Sequence, residues 1–154
     1  MGNTYGIVKP GLTREGVVEA LQSVLDSHFP GVFTLKSDRV DGDIALLIEG
    51  KYSFVLHPWD YEPGLWGGNS LDVGCYCADF SWWVMWVILH NLAVELGALV
   101  DTSEGSVPPY PERFSSFPEW LQKGRMPEKR LDFALAEKSN VPAALQPYMT
   151  GENT

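Results

Sequence analysis

The stretch from Trp82 to Val100 limits the folds open to this chain more than any other. Trp82, Trp83, Val84, Met85, Trp86, Val87, Ile88, Leu89, Leu92, Ala93, Val94 and Leu96 leave only His90, Asn91 and Glu95 to break an apolar run. A helix that is apolar almost all round is covered on most sides or lies in a membrane. A Glu and a His inside the run, with no basic flanks, argue for a buried pillar over a membrane span. The helix is expected at 81–97, with Asp79 or Ser81 as its cap and Gly97 as its stop.

Around that pillar the chain reads as one domain. Its 154 residues fall near the common domain size, and an apolar share of 45% suits an ordinary core. Within an N-terminal segment, 1–12, the first ten residues read as a tail or a short edge strand. Thr13 is a candidate N-cap. After it Val17, Val18, Leu21, Val24, Leu25 and Phe29 recur at helical spacing, which predicts a helix over 14–28, stopped by Pro30 and Gly31.

Strand signals follow at Val32–Leu35, Ile44–Glu49, Tyr52–His57 and Leu71–Phe80. Asp41-Gly42 and Gly50-Lys51 read as turns between them. In the last of these strands Leu71, Val73, Cys75 and Cys77 share one face, and Asp72, Gly74, Tyr76, Ala78 and Phe80 the other. Pro58–Ser70 reads as a long ordered loop.

The expected fold class is therefore α+β: a single domain with an antiparallel sheet of three to five strands packed on a central apolar helix. The order is α-β-β-β-α over 13–106. A Pro-rich extension, 107–154, wraps that core with short helices near Pro118–Lys123 and Pro127–Ser139.

Charge narrows the function. Eleven Lys and Arg stand against 20 Asp and Glu, a net charge of −9. Nucleic-acid binding needs a basic footprint, and so does an anionic membrane surface. With no basic segment leading into an apolar run at the N-terminus, the expected location is the cytoplasm.

Between Lys51 and Arg113 there is no Lys or Arg. That interval holds Asp60, Glu62, Asp72, Asp79, Glu95, Asp101, Glu104 and Glu112, together with Trp59, Trp66, Trp82, Trp83 and Trp86. One account is that pillar and strands are simply apolar and the cations lie elsewhere. The other is an acidic, aromatic face for a basic protein partner, since Tyr and Trp anchor interfaces and an acidic field steers basic targets. Its expected residues are Trp59, Asp60, Tyr61, Glu62, Trp66, Asp72, Asp101 and Glu104. The first five lie in a loop where neither helical nor strand spacing places them.

Catalytic patterns are thin. Cys75 and Cys77, with His57 or His90, suit zinc in residue type but not in spacing, and a Cys–His nucleophilic pair has no support in order or spacing. His57 and Asp60 flank a Pro-Trp turn and suit an acid–base couple, although Asp60 equally caps the turn. Asp60, Glu62, Asp72 and Asp79 suit a hard cation, and Asp38, Asp41 and Asp43 are better explained by the Asp41-Gly42 turn. Asn91 and Glu95 form a polar stripe one turn apart. No cofactor, metal or catalytic residue is expected.

The strands through Tyr52, Val55 and His57-Pro58-Trp59-Asp60, the run Ser81-Trp82-Trp83-Val84-Met85-Trp86 and the segment Leu96–Asp101 resemble the small cytoplasmic immunity proteins of bacterial toxin–immunity pairs. The resemblance is one of form and composition. It implies a monomer or homodimer that occludes the active site of a cognate toxin, and it carries no catalytic residue over. In its α–β–β–β–α order the chain also resembles type III secretion chaperones, which are dimers that hold an unfolded effector segment. A third reading is a small hydrolase-type enzyme using His57 with a nearby carboxylate or thiol.

Overall fold

A computed structural model describes residues 5–37, 42–59, 70–75, 80–102, 105–109 and 142–150. Among them are strands β1 (Tyr5–Val8), β2 (Phe33–Lys36), β3 (Ile44–Ile48), β4 (Lys51–Trp59), β5 (Ser70–Cys75), β6 (Leu99–Thr102) and β7 (Gly105–Val107). The helices are α1 (Arg14–His28), α2 (Phe80–Leu96) and, after a 3-10 turn at Ala143–Leu145, α3 (Gln146–Thr150). The fold is α+β. All seven strands join one antiparallel sheet in the order β2-β3-β4-β5-β1-β6-β7.

The structure departs from two expectations. The sheet is larger than three to five strands. The N-terminal segment is neither a tail nor an edge: β1 is an inner strand, paired with β5 on one side and β6 on the other. Four residues suffice because both neighbours satisfy the backbone of β1, and Tyr5 and Ile7 are buried. The pairing also requires a glycine. A Cβ on Gly6 would lie 2.2 Å from the carbonyl oxygen of Leu71.

The topology explains why both long helices share one face. Strands β1 and β2 run the same way, joined by α1; β5 and β6 run the same way, joined by α2. Right-handed crossovers in these opposite senses place both helices on one side of the sheet, and α1 and α2 do pack on each other. Leu46, Phe54 and Leu56 of the sheet meet Met85, Ile88, Leu89 and Leu92 of α2 around one small apolar pocket.

Local chemistry sets the ends of the helices. The Gly16 N–H donates to Thr13 Oγ1 at 3.1 Å, so α1 starts where its cap predicts. Val17, Leu21, Val24 and Leu25 form its buried face. In α2, Val84 through His90 are buried without a break, so nearly two turns are covered all round. It ends on Gly97 at φ +67°, with Ala98 N–H donating to Ala93 O at 2.8 Å and Gly97 N–H to Val94 O at 3.2 Å. That pair of bonds is a Schellman cap. No helix among the described residues is long and apolar enough to cross a membrane.

Strands β3 and β4 form the expected hairpin, shifted by one residue. Its two-residue turn is Glu49-Gly50, with φ of 52° and 79°. The register slips between Leu46 and Leu47, so Ser53 is the extra residue of a β-bulge.

At the far end of the chain, Leu145 and Tyr148 are buried, and Tyr148 packs on Phe29 with ring centroids 4.9 Å apart. Ala144 N–H donates to Glu49 Oε1 at 3.4 Å. Part of the Pro-rich extension therefore does return to the core. The helices expected at 118–123 and 127–139 lie outside the described residues.

Candidate functional site

The face of the sheet turned away from α1 and α2 carries a polar row. Strand alternation sends Leu56, Leu71, Ile7 and Val100 towards the helices, so His57, Asp72, Gly6 and Asp101 point the other way. Pairing lines them up: His57 opposite Asp72, Asp72 opposite Gly6, Gly6 opposite Asp101, and Asp101 opposite Ser106. Asp43 extends the row on the far side, one step beyond the Ile44–Leu56 pair.

Geometry and electrostatics differ along the row. His57 Nδ1 is 2.6 Å from Asp43 Oδ2; the Asp43 side chain is 10% exposed and the His57 side chain 38%. A buried carboxylate on Nδ1 fixes the ring and turns Nε2 outwards. Asp72 is half-buried. Loss of hydration pushes its carboxyl above the usual aspartate value, the Asp101 charge pushes it the same way, and His57 pulls it down. Asp72 and Asp101 thus face each other as like charges across a glycine that adds no side chain. Their strands lie two spacings apart, about 10 Å.

The row closes at one end. Ala45, Ser53 and Val55 alternate onto this same face, yet all three are buried, so the β3–β4 half is covered. The β1–β6–β7 half is open: Leu99 is 43% exposed, and Ser106 is exposed.

Of the interface residues expected from charge patterning, the structure brings Asp72 and Asp101 together. Trp59 ends β4, its backbone opposite Ser70. Asp60, Tyr61, Glu62, Trp66 and Glu104 lie outside the described residues. The β4–β5 connection that holds the first four begins and ends at the Trp59–Ser70 pair, two residues along the strands from His57 and Asp72. Trp86 belongs to the core, edge-on to Tyr5 at 4.9 Å and to His90 at 5.4 Å. Asn91 does not reach along the helix to Glu95; its Nδ2 donates back to Val87 O at 2.8 Å.

Sequence reasoning missed the pairing of Asp43 with His57 and assigned Asp43 to a turn. The hairpin alone would set Asp43 opposite Leu56. The bulge at Ser53 moves the register by one and delivers His57 instead. Nothing in residue type marks that bulge.

Among the described residues no group of three or more His, Cys, Asp or Glu is placed to hold a metal ion. Cys75 sits in β5 opposite Phe54, and Cys77 lies outside the described residues. Comparison with family models, with curated proteins and with solved structures finds no match to this chain.

Proposed function

We propose that this chain is a protein-binding inhibitor of the immunity type, which neutralises a basic toxin or effector domain by laying the acidic face of its sheet over it. The supporting observation is the pair Asp72 and Asp101, set in register on either side of Gly6 on the helix-free face. Two carboxylates that raise each other's energy gain from a cation brought by a partner, and a net charge of −9 steers such a partner in. Trp59 ends β4, the segment that carries Asp60, Tyr61, Glu62 and Trp66 joins the sheet at the Trp59–Ser70 pair, two residues from His57 and Asp72, and Glu104 follows β6 in the sequence. The Trp and Tyr residues of that stretch of sequence suit an interface with a few dominant contacts. Occlusion of the partner's active site needs no chemistry from this chain.

The test is co-expression with the products of the adjacent genes. A toxic, basic product should be captured by the chain and its growth defect relieved. Asp72→Lys with Asp101→Lys should weaken that capture by about a hundredfold or more. An adjacent basic product that is neither bound nor neutralised sinks the reading.

The Asp43–His57 contact favours a second reading, an acid–base site. A buried carboxylate that orients an accessible imidazole is the arrangement a general base needs. Under that reading His57→Ala abolishes biological activity while capture of the partner persists. Under the first, His57→Ala leaves neutralisation largely intact.

A further inference from the structure

We propose that the open half of the sheet's helix-free face seats an amphipathic helix of the partner, with an apolar side chain resting on Val8 and Leu99 and a Lys or Arg one helical turn along, between Asp72 and Asp101. This rests on the reading that the chain binds a basic protein, and it names the element that docks.

Two rows on this face carry the inference. The first is Ser70, Val8 and Leu99, in register across β5, β1 and β6. Among the described residues Leu99, like Val94, is a large apolar side chain left exposed, and Val8 lies half-buried beside Leu99. The second row, two residues along, is Asp72, Gly6 and Asp101. An apolar ledge and a pair of carboxylates thus lie about 6.8 Å apart along the strands. Successive contacts on one helical face, i and i+4, are about 6.0 Å apart along the axis. A helix aligned with β1 and β6 therefore meets both rows with one side.

The choice of a helix over a strand follows from the backbone. Strand β1 is paired on both sides, and β6 lies between β1 and β7. Their N–H and C=O groups are engaged within the sheet, so recognition on this face is by side chains. An extended peptide docks by adding to a sheet edge, whereas a helix satisfies its own backbone. Charge settles the sign of the polar contact: the row offers two carboxylates and no cation from Gly6 between them. The burial of Ala45, Ser53 and Val55 bounds the strip on the β3–β4 side.

The probe is a fluorescein-labelled, Ala-rich helical peptide carrying Leu and Arg at i and i+4 in repeated pairs. Its comparator has the same composition with Leu and Arg at i and i+2, on different faces. Fluorescence anisotropy at low salt should show the matched peptide binding about tenfold tighter. Leu99→Ser and Asp101→Asn, each with wild-type circular dichroism, should each remove most of that advantage. Equal binding of the two peptides, or an advantage that survives both substitutions, overturns the helix proposal. The reading beneath it is judged separately, by whether charge reversal at Asp72 and Asp101 weakens capture of the adjacent gene's product.

Discussion

His57 and Asp43 join two strands through their side chains: Nδ1 of the imidazole lies 2.6 Å from Oδ2 of a carboxylate that is nine-tenths buried. A carboxylate removed from water needs its hydrogen bonds in place. His57→Ala leaves that acceptor short of a donor, and unfolding in urea should register a loss of about 1–3 kcal/mol. Asp43→Asn keeps the shape and an acceptor oxygen, and should lose less. If His57→Ala unfolds at the wild-type midpoint, the contact contributes nothing to stability.

On the proposed reading, Asp72 sets stability against recognition. Its carboxyl is held above the ordinary aspartate value, first by burial and then by Asp101. The folded state therefore binds this proton more tightly than the unfolded chain does. The sign follows: between the unfolded value of 3.8 and the raised folded one, stability falls as pH rises, and the loss is complete above that window. Asp72→Asn should accordingly stabilise the protein at pH 7, with the gain fading as the pH drops through the window towards 3.8. The same substitution should weaken binding of a basic partner. Opposite movements in a melting curve and a binding isotherm would locate both effects at one carboxylate. A variant less stable than wild type at pH 7 would contradict this account.

Elements with a local cause were legible in the sequence. Thr13 and Phe29 frame α1 because capping and helical spacing act within a few residues. The ends of α2 and the β3–β4 hairpin were legible to within a residue or two for the same reason. Strand β1 was not, since four residues with a central glycine look like a tail until two other strands enclose them. Strands β6 and β7 were hidden because Leu99 and Val100 continue the apolar run of α2. The candidate site is less local still: its row joins residues 6, 43, 57, 72 and 101. Charge patterning alone singled out Asp72 and Asp101, but only the strand order makes them neighbours across Gly6.

Glycine serves two separate purposes here, and Ala substitution distinguishes them. At Gly6 the obstacle is another backbone: a Cβ would sit 2.2 Å from Leu71 O, so β1 and β5 must separate. Gly6→Ala should destabilise by about 1–3 kcal/mol or more and loosen β1, which hydrogen exchange at Ile7 would report. At Gly97 the nearest neighbour is Lys9 Nζ at 3.8 Å, so there is room, but φ is +67°. Gly97→Ala should cost about 1–2 kcal/mol through backbone strain alone, with exchange in β1 unchanged. Loosening of β1 by Gly97→Ala as well would refute the distinction.

Ser53 is the residue added by the bulge that brings His57 opposite Asp43, and it is fully buried on the face away from the helices. Among the described residues its Oγ finds no hydrogen-bond partner. A hydroxyl stripped of water and left unpaired opposes folding, so Ser53→Ala should leave stability unchanged or raise it by up to about 1–3 kcal/mol. The bulge is a feature of the backbone that accommodates the extra residue, and it does not need the hydroxyl. The cross-strand contact between His57 and Asp43 should therefore persist, visible as an unaltered His57 imidazole resonance. Deleting Ser53 is the sharper test. The chain then passes from Tyr52 to Phe54 without the extra residue, and the pairs Leu47–Tyr52, Leu46–Phe54 and Ile44–Leu56 keep their register. The variant should therefore keep the Asp43–His57 contact, whereas a one-residue slip would exchange the two faces of the strand and remove it. Loss of the contact on deletion would show that more than an added residue sets the row.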